Sequence, residues 1–242
     1  MLIGCCGWAE GRGKYFKDFP VVELQTTFYQ PPSVALAEKW RGEAPADFVF
    51  TMKAWQLITH PASSPTYRRL KTPIDAAKAD RYGHFRPTED VWTAWQQTGA
   101  IARAVRAAVV VFQCPAGFTS TDENCANLER FFRRVDRGPW LAAWEPRGRW
   151  DPDLVRKLCQ KLDLIHCLDP FAAEPAHGEA VYFRLHGRGG YRYRYTDDEL
   201  AELSQICQRH RDAGRAPPYV MFNNVYMRDD ARRFRKIMDA AR

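Results

Sequence analysis

Residues 107–113 read Ala107-Ala108-Val109-Val110-Val111-Phe112-Gln113, an apolar run closed by an amide. Three consecutive β-branched residues favour a strand. The lack of apolar–polar alternation means that both faces of that strand are covered, as in a parallel sheet packed under helices. Comparable short runs recur on either side of it. They are Leu2–Cys5, Val21–Thr26, Phe48–Met52, Leu141–Glu145, Leu164–Leu168, Ala180–Leu185 and Tyr219–Asn223.

Helical patterns separate most of these runs. Ser33 precedes Val34–Gly42, whose Val34, Leu36, Ala37 and Trp40 recur at helical spacing. A longer helix is expected from Thr88 to Arg106, and another from an Asp122 or Asn124 cap to Arg134. Asp151-Pro152 joins a cap to a proline at the first helical position, and Thr196 with Glu199 forms a capping box. A last helix starts near Asp229, and only short helices are expected after strands one and six. Eight strand–helix units predict a single TIM-like (β/α)8 barrel of α/β class spanning residues 1–242. An open dinucleotide-binding sheet would need a Gly-x-Gly-x-x-Gly turn after the first strand, and none is present. Residues 60–87, after strand three, are polar and rich in Pro, Ser, Arg and Lys, and read as a lid-like insertion.

With 242 residues, 45% of them hydrophobic and 27% charged, the chain has the composition of a globular protein and excludes intrinsic disorder. No apolar stretch is long enough for a membrane helix, and the first residues lack the basic flank of a signal peptide, so a cytoplasmic protein without membrane contact is expected. A net charge of +7 favours an anionic ligand, with DNA or RNA among the candidates, and no obligate protein partner is evident. Seven cysteines without a Cys-x-x-Cys pair read as buried thiols rather than as a disulfide or zinc framework.

Functional side chains gather at strand ends: Glu23 and Gln25, Lys53, Gln113, Glu145 with Arg147, Asp169, Arg184 with His186, and Asn223 with Asn224. In a β/α barrel those ends form the active face. Such a ring is either a salt-bridged plug or a polar reaction site. Arg184 and His186 share a face by the two-residue strand period, as do Glu145 and Arg147. A histidine beside a guanidinium is held neutral, as a base or a metal ligand. Lys53 suits a phosphate clamp, a Schiff-base nucleophile or an ion-pair partner. His60 stands at the mouth of the insertion, where contact with substrate and plain surface exposure are both open. Trp8, Phe28, Tyr29, Trp55, Trp150, Tyr191, Tyr193 and Tyr195 fall just past strand ends. The arginines among them could hold phosphates while the rings stack on bases.

Several of these motifs, in this order, resemble the YecE-like domain-of-unknown-function family. They are Gly4-x-x-Gly7-Trp8, Val22-Glu23-x-x-x-Thr27-Phe28-Tyr29, Phe50-x-Met52-Lys53 with Ile58-Thr59-His60, Phe112-Gln113-x-Pro115, Trp144-Glu145-x-Arg147 with Trp150, Tyr182-x-Arg184-x-His186-Gly187, and Phe222-Asn223-Asn224. The resemblance implies a β/α-barrel fold with a pocket and carries no settled activity. Cys5 and Cys6 stand where that family commonly shows Thr or Ser, so hydroxyl chemistry at the first strand is not expected here.

The leading expectation is a hydrolase-type enzyme acting on a phosphate-containing substrate, namely a nuclease-like enzyme on a nucleic-acid phosphodiester. Glu23, Lys53, Glu145 and His186 are its candidate catalytic residues, with a divalent metal (Mg²⁺ or Mn²⁺) left open. Lys53, Arg147 and Arg184 would together stabilise phosphate charge. Trp8, Gln25, Thr27, Tyr29, His60, Gln113, Trp150, Asp169, Tyr191, Tyr195, Asn223 and Asn224 would contact substrate. The alternatives are an isomerase, lyase or hydrolase of a small phosphorylated or carboxylated sugar, and a non-catalytic nucleic-acid-binding module.

Overall fold

The computed structural model describes residues 1–213 and 216–240. Eight parallel strands close into a barrel in chain order: β1 (Leu2–Cys6), β2 (Val21–Leu24), β3 (Val49–Lys53), β4 (Ala107–Gln113), β5 (Leu141–Glu145), β6 (Ile165–Leu168), β7 (Tyr182–Leu185) and β8 (Tyr219–Phe222). β8 pairs with β1 through Leu2 opposite Tyr219 and Gly4 opposite Met221, which closes the ring. Gly4 is required where β1 meets β2, because a Cβ there would stand 2.2 Å from the Val21 carbonyl oxygen.

The helices follow the expected order: α1 (Arg12–Asp18), α2 (Thr26–Tyr29), α3 (Val34–Glu43), α4 (Gln56–Thr59), α5 (Glu89–Val105), α6 (Asp122–Arg134), α7 (Pro152–Leu162), α8 (Asp197–Asp212) and α9 (Met227–Ala240). Their starts are chemically explicit. Ser33 caps α3, Thr88 caps α5, and Asp151 accepts from the amides of Asp153 and Leu154 at 2.9 and 3.0 Å. The box on α8 is complete, with Thr196 and Glu199 satisfying each other's backbone amides at 2.8 and 3.2 Å.

Four local expectations are corrected. Thr121, rather than Asp122 or Asn124, caps α6, because its hydroxyl is the one that accepts the Asn124 amide. β2 stops at Leu24, since Thr26–Tyr29 coil into α2, so Gln25 lies past the strand. β7 starts at Tyr182 rather than Ala180. The expected short helix after β6 is replaced by turns, in a stretch broken by Pro170, Pro175 and Gly178.

Residues 60–87 form two 3₁₀ turns, Pro65–Arg69 and Ala76–Arg81. The segment is tied back to the barrel. Gly83, His84 and Phe85 donate backbone hydrogen bonds to Leu57, Thr59 and Ile58, and Phe85 is buried among Phe112, Phe118, Phe131 and Phe132.

Strand parity sorts the barrel's contents. Outward residues such as Phe50, Val110, Phe112, Trp144 and Phe222 pack under the helices. Inward residues Cys6, Val21, Val109, Val111, Ala143, Ile165, Cys167, Tyr182 and Met221 form a separate apolar cluster. Two residues further along the same inward faces stand Glu23, Gln113, Glu145 and Arg184, which places the chemistry at the C-terminal mouth. All seven cysteines are free, and Cys125 alone among them is only half-buried. No helix among the described residues is long and apolar enough to cross a membrane.

Candidate functional site

Arg184, on β7, lies at the centre of the mouth with no exposed surface and spans two carboxylates. It grips Glu23 of β2 at two points, Nε to Oε2 at 3.0 Å and Nη2 to Oε1 at 2.9 Å, and its Nη1 donates to Glu145 Oε2 on β5. Tyr182 donates to Glu23 Oε2 at 2.9 Å, and Gln25 donates to Oε1. Burial opposes the charge on Arg184, yet Glu145 and then Glu23 hold it firmly protonated. Burial would likewise raise Glu145, but Arg184, with His186 and Arg147, holds its carboxyl well below the usual carboxylate range.

A hydrogen-bonded chain runs outward from this pair. Lys53, at the end of β3, donates to Gln113 Oε1 at 2.6 Å, and Gln113 Nε2 donates to Glu145 Oε2 at 2.9 Å. Lys53 is only 3% exposed, and among the described residues no carboxylate pairs with it. Its ammonium position lies 3.6 Å from the centre of the Phe28 ring. Burial, reinforced by Arg184, brings its pKa down to about 7.

The accessible edge of the network is His186 with Arg147. The His186 side chain is 21% exposed and that of Arg147 is 44% exposed. His186 Nε2 is 2.9 Å from Glu145 Oε1, and Asn223 Nδ2 is 3.0 Å from His186 Nδ1. With an amide donor against Nδ1, the neutral ring carries its proton on Nε2 and gives it to Glu145. Burial lowers the His186 pKa against the opposing hydrogen bond to Glu145, so the ring is neutral at neutral pH. Arg147 Nη1 stands 3.1 Å from His186 Nε2 and 3.3 Å from Glu145 Oε1. Asp169 is half-buried behind them; its Oδ1 accepts from Phe171 N at 3.0 Å, and burial raises its pKa.

The structure thus gathers Glu23, Lys53, Gln113, Glu145, Arg147, Asp169, Arg184, His186 and Asn223 at one mouth. Other expected contacts are structural. Tyr195 is buried, accepts the Gly187 amide at 2.8 Å and stacks on Phe171. Asn224 is buried and ties Tyr193 O to Asp230 Oδ2. Trp150 donates to Phe118 O at 2.8 Å and meets Trp144 edge-on. Trp8 packs against Tyr15, Phe16, Phe48 and Phe50. The Thr27 hydroxyl is spent on the carbonyls of Leu24 and Lys53, at 2.8 and 2.7 Å. His60 is buried against Phe28 rather than on a loop surface, and burial lowers its pKa to about 3. Tyr29 is half-buried beneath Arg69, 3.5 Å from its ring centre, while Tyr191 is largely exposed and apart from the network.

The expected three-cation phosphate clamp is also corrected: Arg184 is enclosed between carboxylates and Lys53 is buried, leaving Arg147 as the exposed cation beside His186. A divalent cation does not fit the arrangement. Each oxygen of Glu23 and Glu145 already accepts from a protein donor. Among the described residues no group of three or more His, Cys, Asp or Glu converges as a metal site. Tyr182 is the site residue that the sequence reading missed; its two-residue spacing from Arg184 was the available signal. A cavity of about 660 Å³ lies at the opposite end of the barrel, between Ile3, Phe19, Pro218 and Met238.

A family model described as a protein of unknown function, DUF72, matches residues 2–242. The protein YunF of Bacillus subtilis strain 168, a UPF0759 protein, is 24% identical over 270 residues, covering 93% of this chain and 88% of the relative. A crystal structure of a DUF72 family protein from Enterococcus faecalis V583 superposes with a TM-score of 0.76 at 17% identity, covering 98% of this chain and 95% of that one. A DUF72 family protein from Thermotoga maritima superposes with a TM-score of 0.71 at 19% identity, covering 99% of both chains.

Proposed function

The chain belongs to the DUF72 family of unknown function, and on the geometry of its mouth we propose that it is an enzyme performing acid–base chemistry on a small anionic substrate, a phosphorylated or carboxylated sugar. The observation that carries this reading is His186, one-fifth exposed, bonded to the buried Glu145 and flanked by the half-exposed Arg147 at 3.1 Å. Glu145 orients the ring through Nε2, as a buried carboxylate orients the histidine of a hydrolytic triad. That leaves Nδ1 to take a proton once Asn223, its present partner, turns to the substrate. Arg147 supplies a guanidinium for one carboxylate or phosphate group. One exposed guanidinium directly beside the histidine matches one anionic group held next to the ring. The test is proton NMR in D₂O with a panel of phosphorylated and carboxylated aldoses and ketoses. Deuterium uptake beside a carbonyl, or turnover, that disappears in His186→Gln supports the reading. No exchange or turnover with any member of the panel, or equal rates in His186→Gln, overturns it.

A second reading, cleavage or binding of nucleic acid, is favoured by the surface beside the mouth. Tyr191 and Tyr226 are exposed at 61% and 40%, Arg194 lies 5.7 Å from the Tyr226 ring centre, and Arg192 is exposed nearby. Backbone pairing of Val225 to Tyr191 joins the two loops into one surface. Aromatic and arginine side chains so placed suit stacked bases and phosphates. Salt-sensitive binding of oligonucleotides that is lost in the Arg192→Ala, Arg194→Ala double variant supports this reading, and its absence removes it.

A further inference from the structure

Lys53 differs from every other cation of the network. Arg184 and Arg147 contact carboxylates, whereas the Lys53 amine has a neutral amide oxygen, Gln113 Oε1 at 2.6 Å, and the face of Phe28 at 3.6 Å. A lysine kept only to balance charge would sit on Glu23 or Glu145, both of which are present in the same mouth and already given to Arg184. Two features of the surroundings favour the free amine, burial and the Arg184 guanidinium, and they bring its pKa down to about 7 against the opposing pull of Glu23 and Glu145. His60, buried and edge-on to the Phe28 ring with centroids 4.8 Å apart, is also held neutral and adds no negative charge.

From this placement we infer that Lys53 is a nucleophile that forms an imine with the carbonyl carbon of an aldehyde or ketone substrate. The inference rests on the acid–base reading of the same mouth and names the substrate class as an anionic carbonyl compound. The Lys53 nitrogen lone pair attacks the carbonyl carbon, the C=O π pair moves to oxygen, and proton transfer gives a carbinolamine. A second proton on that oxygen lets water leave, and the nitrogen lone pair forms the C=N⁺ bond. The iminium withdraws electrons from the adjacent carbon, whose proton His186 Nδ1 accepts. The electron pair left on carbon moves into an enamine; a proton returned to carbon, from His186 or solvent, restores the iminium. Addition of water with reversal of the first steps frees the amine, so the cycle needs no oxidant or reductant. Gln113, half-buried and bonded to both Lys53 and Glu145, must release the Lys53 nitrogen before a carbonyl can reach it.

The test is reductive trapping of the full-length protein at pH 7 with cyanoborohydride and, separately, glyceraldehyde 3-phosphate, dihydroxyacetone phosphate and pyruvate, read by intact mass and peptide mapping. One adduct on Lys53 is expected with at least one probe, formed on the order of 10²- to 10³-fold faster than on surface lysines, whose unperturbed pKa leaves far less free amine at pH 7. Lys53→Met and Lys53→Arg should both lose that adduct while retaining the far-ultraviolet spectrum, and the wild-type map stands whether or not either variant folds. Adducts spread over surface lysines with none on Lys53, for all three probes, overturn the inference. If His186-dependent exchange persists without a Lys53 adduct, the imine fails and the acid–base reading stands. If a Lys53 adduct forms while exchange ignores His186, the imine stands and the acid–base reading fails.

Discussion

His186 Nε2 lies 2.9 Å from Glu145 Oε1, while Glu145's other oxygen is held by Arg184 and Gln113. One carboxylate therefore joins the partly exposed histidine to the sealed interior, and a change at either end of that link is felt at the other. Glu145→Gln removes the negative charge that holds the ring and sets an NH₂ in place of one of the two carboxylate oxygens, all of whose present partners are donors. It should lower kcat by about 10²-fold or more with a smaller change in KM, as loss of a group acting in proton transfer does. Steady-state kinetics on whichever substrate the exchange assay identifies would show it, and an unchanged kcat would remove Glu145 from the proton path.

The neutral state of His186 sets an acid limb. Burial lowers its pKa below the ordinary value of 6.5, so the base is lost only as pH falls through that lower value. The His186 limb of kcat/KM should therefore lie below pH 6.5, distinct from the limb near pH 7 that a nucleophilic Lys53 adds and that Lys53→Met removes from the His186-dependent exchange rate. NMR titration of the His186 ring should give the same midpoint; a midpoint above 6.5 would contradict the burial argument.

Arg184 is buried between Glu23 and Glu145, so truncating it strands two carboxylates inside the barrel. Arg184→Met should destabilise the fold by about 3–5 kcal/mol, the range for breaking a buried ion pair. Urea unfolding measures this directly. Losses under about 1 kcal/mol would mean that water reaches the pair.

Acid stability follows from the same triad. Glu145 has its carboxyl depressed in the folded state, so its contribution is fully present above the unfolded-state value near 4.5 and is lost as pH falls through the folded one. The midpoint of thermal unfolding should therefore drop steeply below pH 4.5 in the wild type and less steeply in Glu145→Gln. Parallel curves would assign acid unfolding to other groups.

Tyr195→Phe separates scaffold from site. Its hydroxyl accepts the Gly187 amide at 2.8 Å, and Gly187 has φ +86° where a Cβ would lie 2.3 Å from the Gly190 carbonyl oxygen. The variant should lose about 1 kcal/mol of stability through that hydrogen bond. Its KM should be unchanged, which a substrate-contacting tyrosine would not allow.

The barrel was legible in the sequence because strand and helix patterns are local: β-branched runs such as Val109–Val111, the Asp151-Pro152 start and the Thr196–Glu199 box act over a few residues. The two-residue period likewise places Arg184 and His186 on one face from the sequence alone. Pairing was a different matter. Which carboxylate meets which cation depends on the stagger of strands that are not neighbours in the ring, where Arg184 and Glu23 stand 161 positions apart in the chain. Burial was equally hidden, since Lys53 at 3% exposed and Arg147 at 44% are both cations at the end of a strand. Periodicity tells a side chain which way to point; only closure of the ring decides what it meets there and whether water can follow.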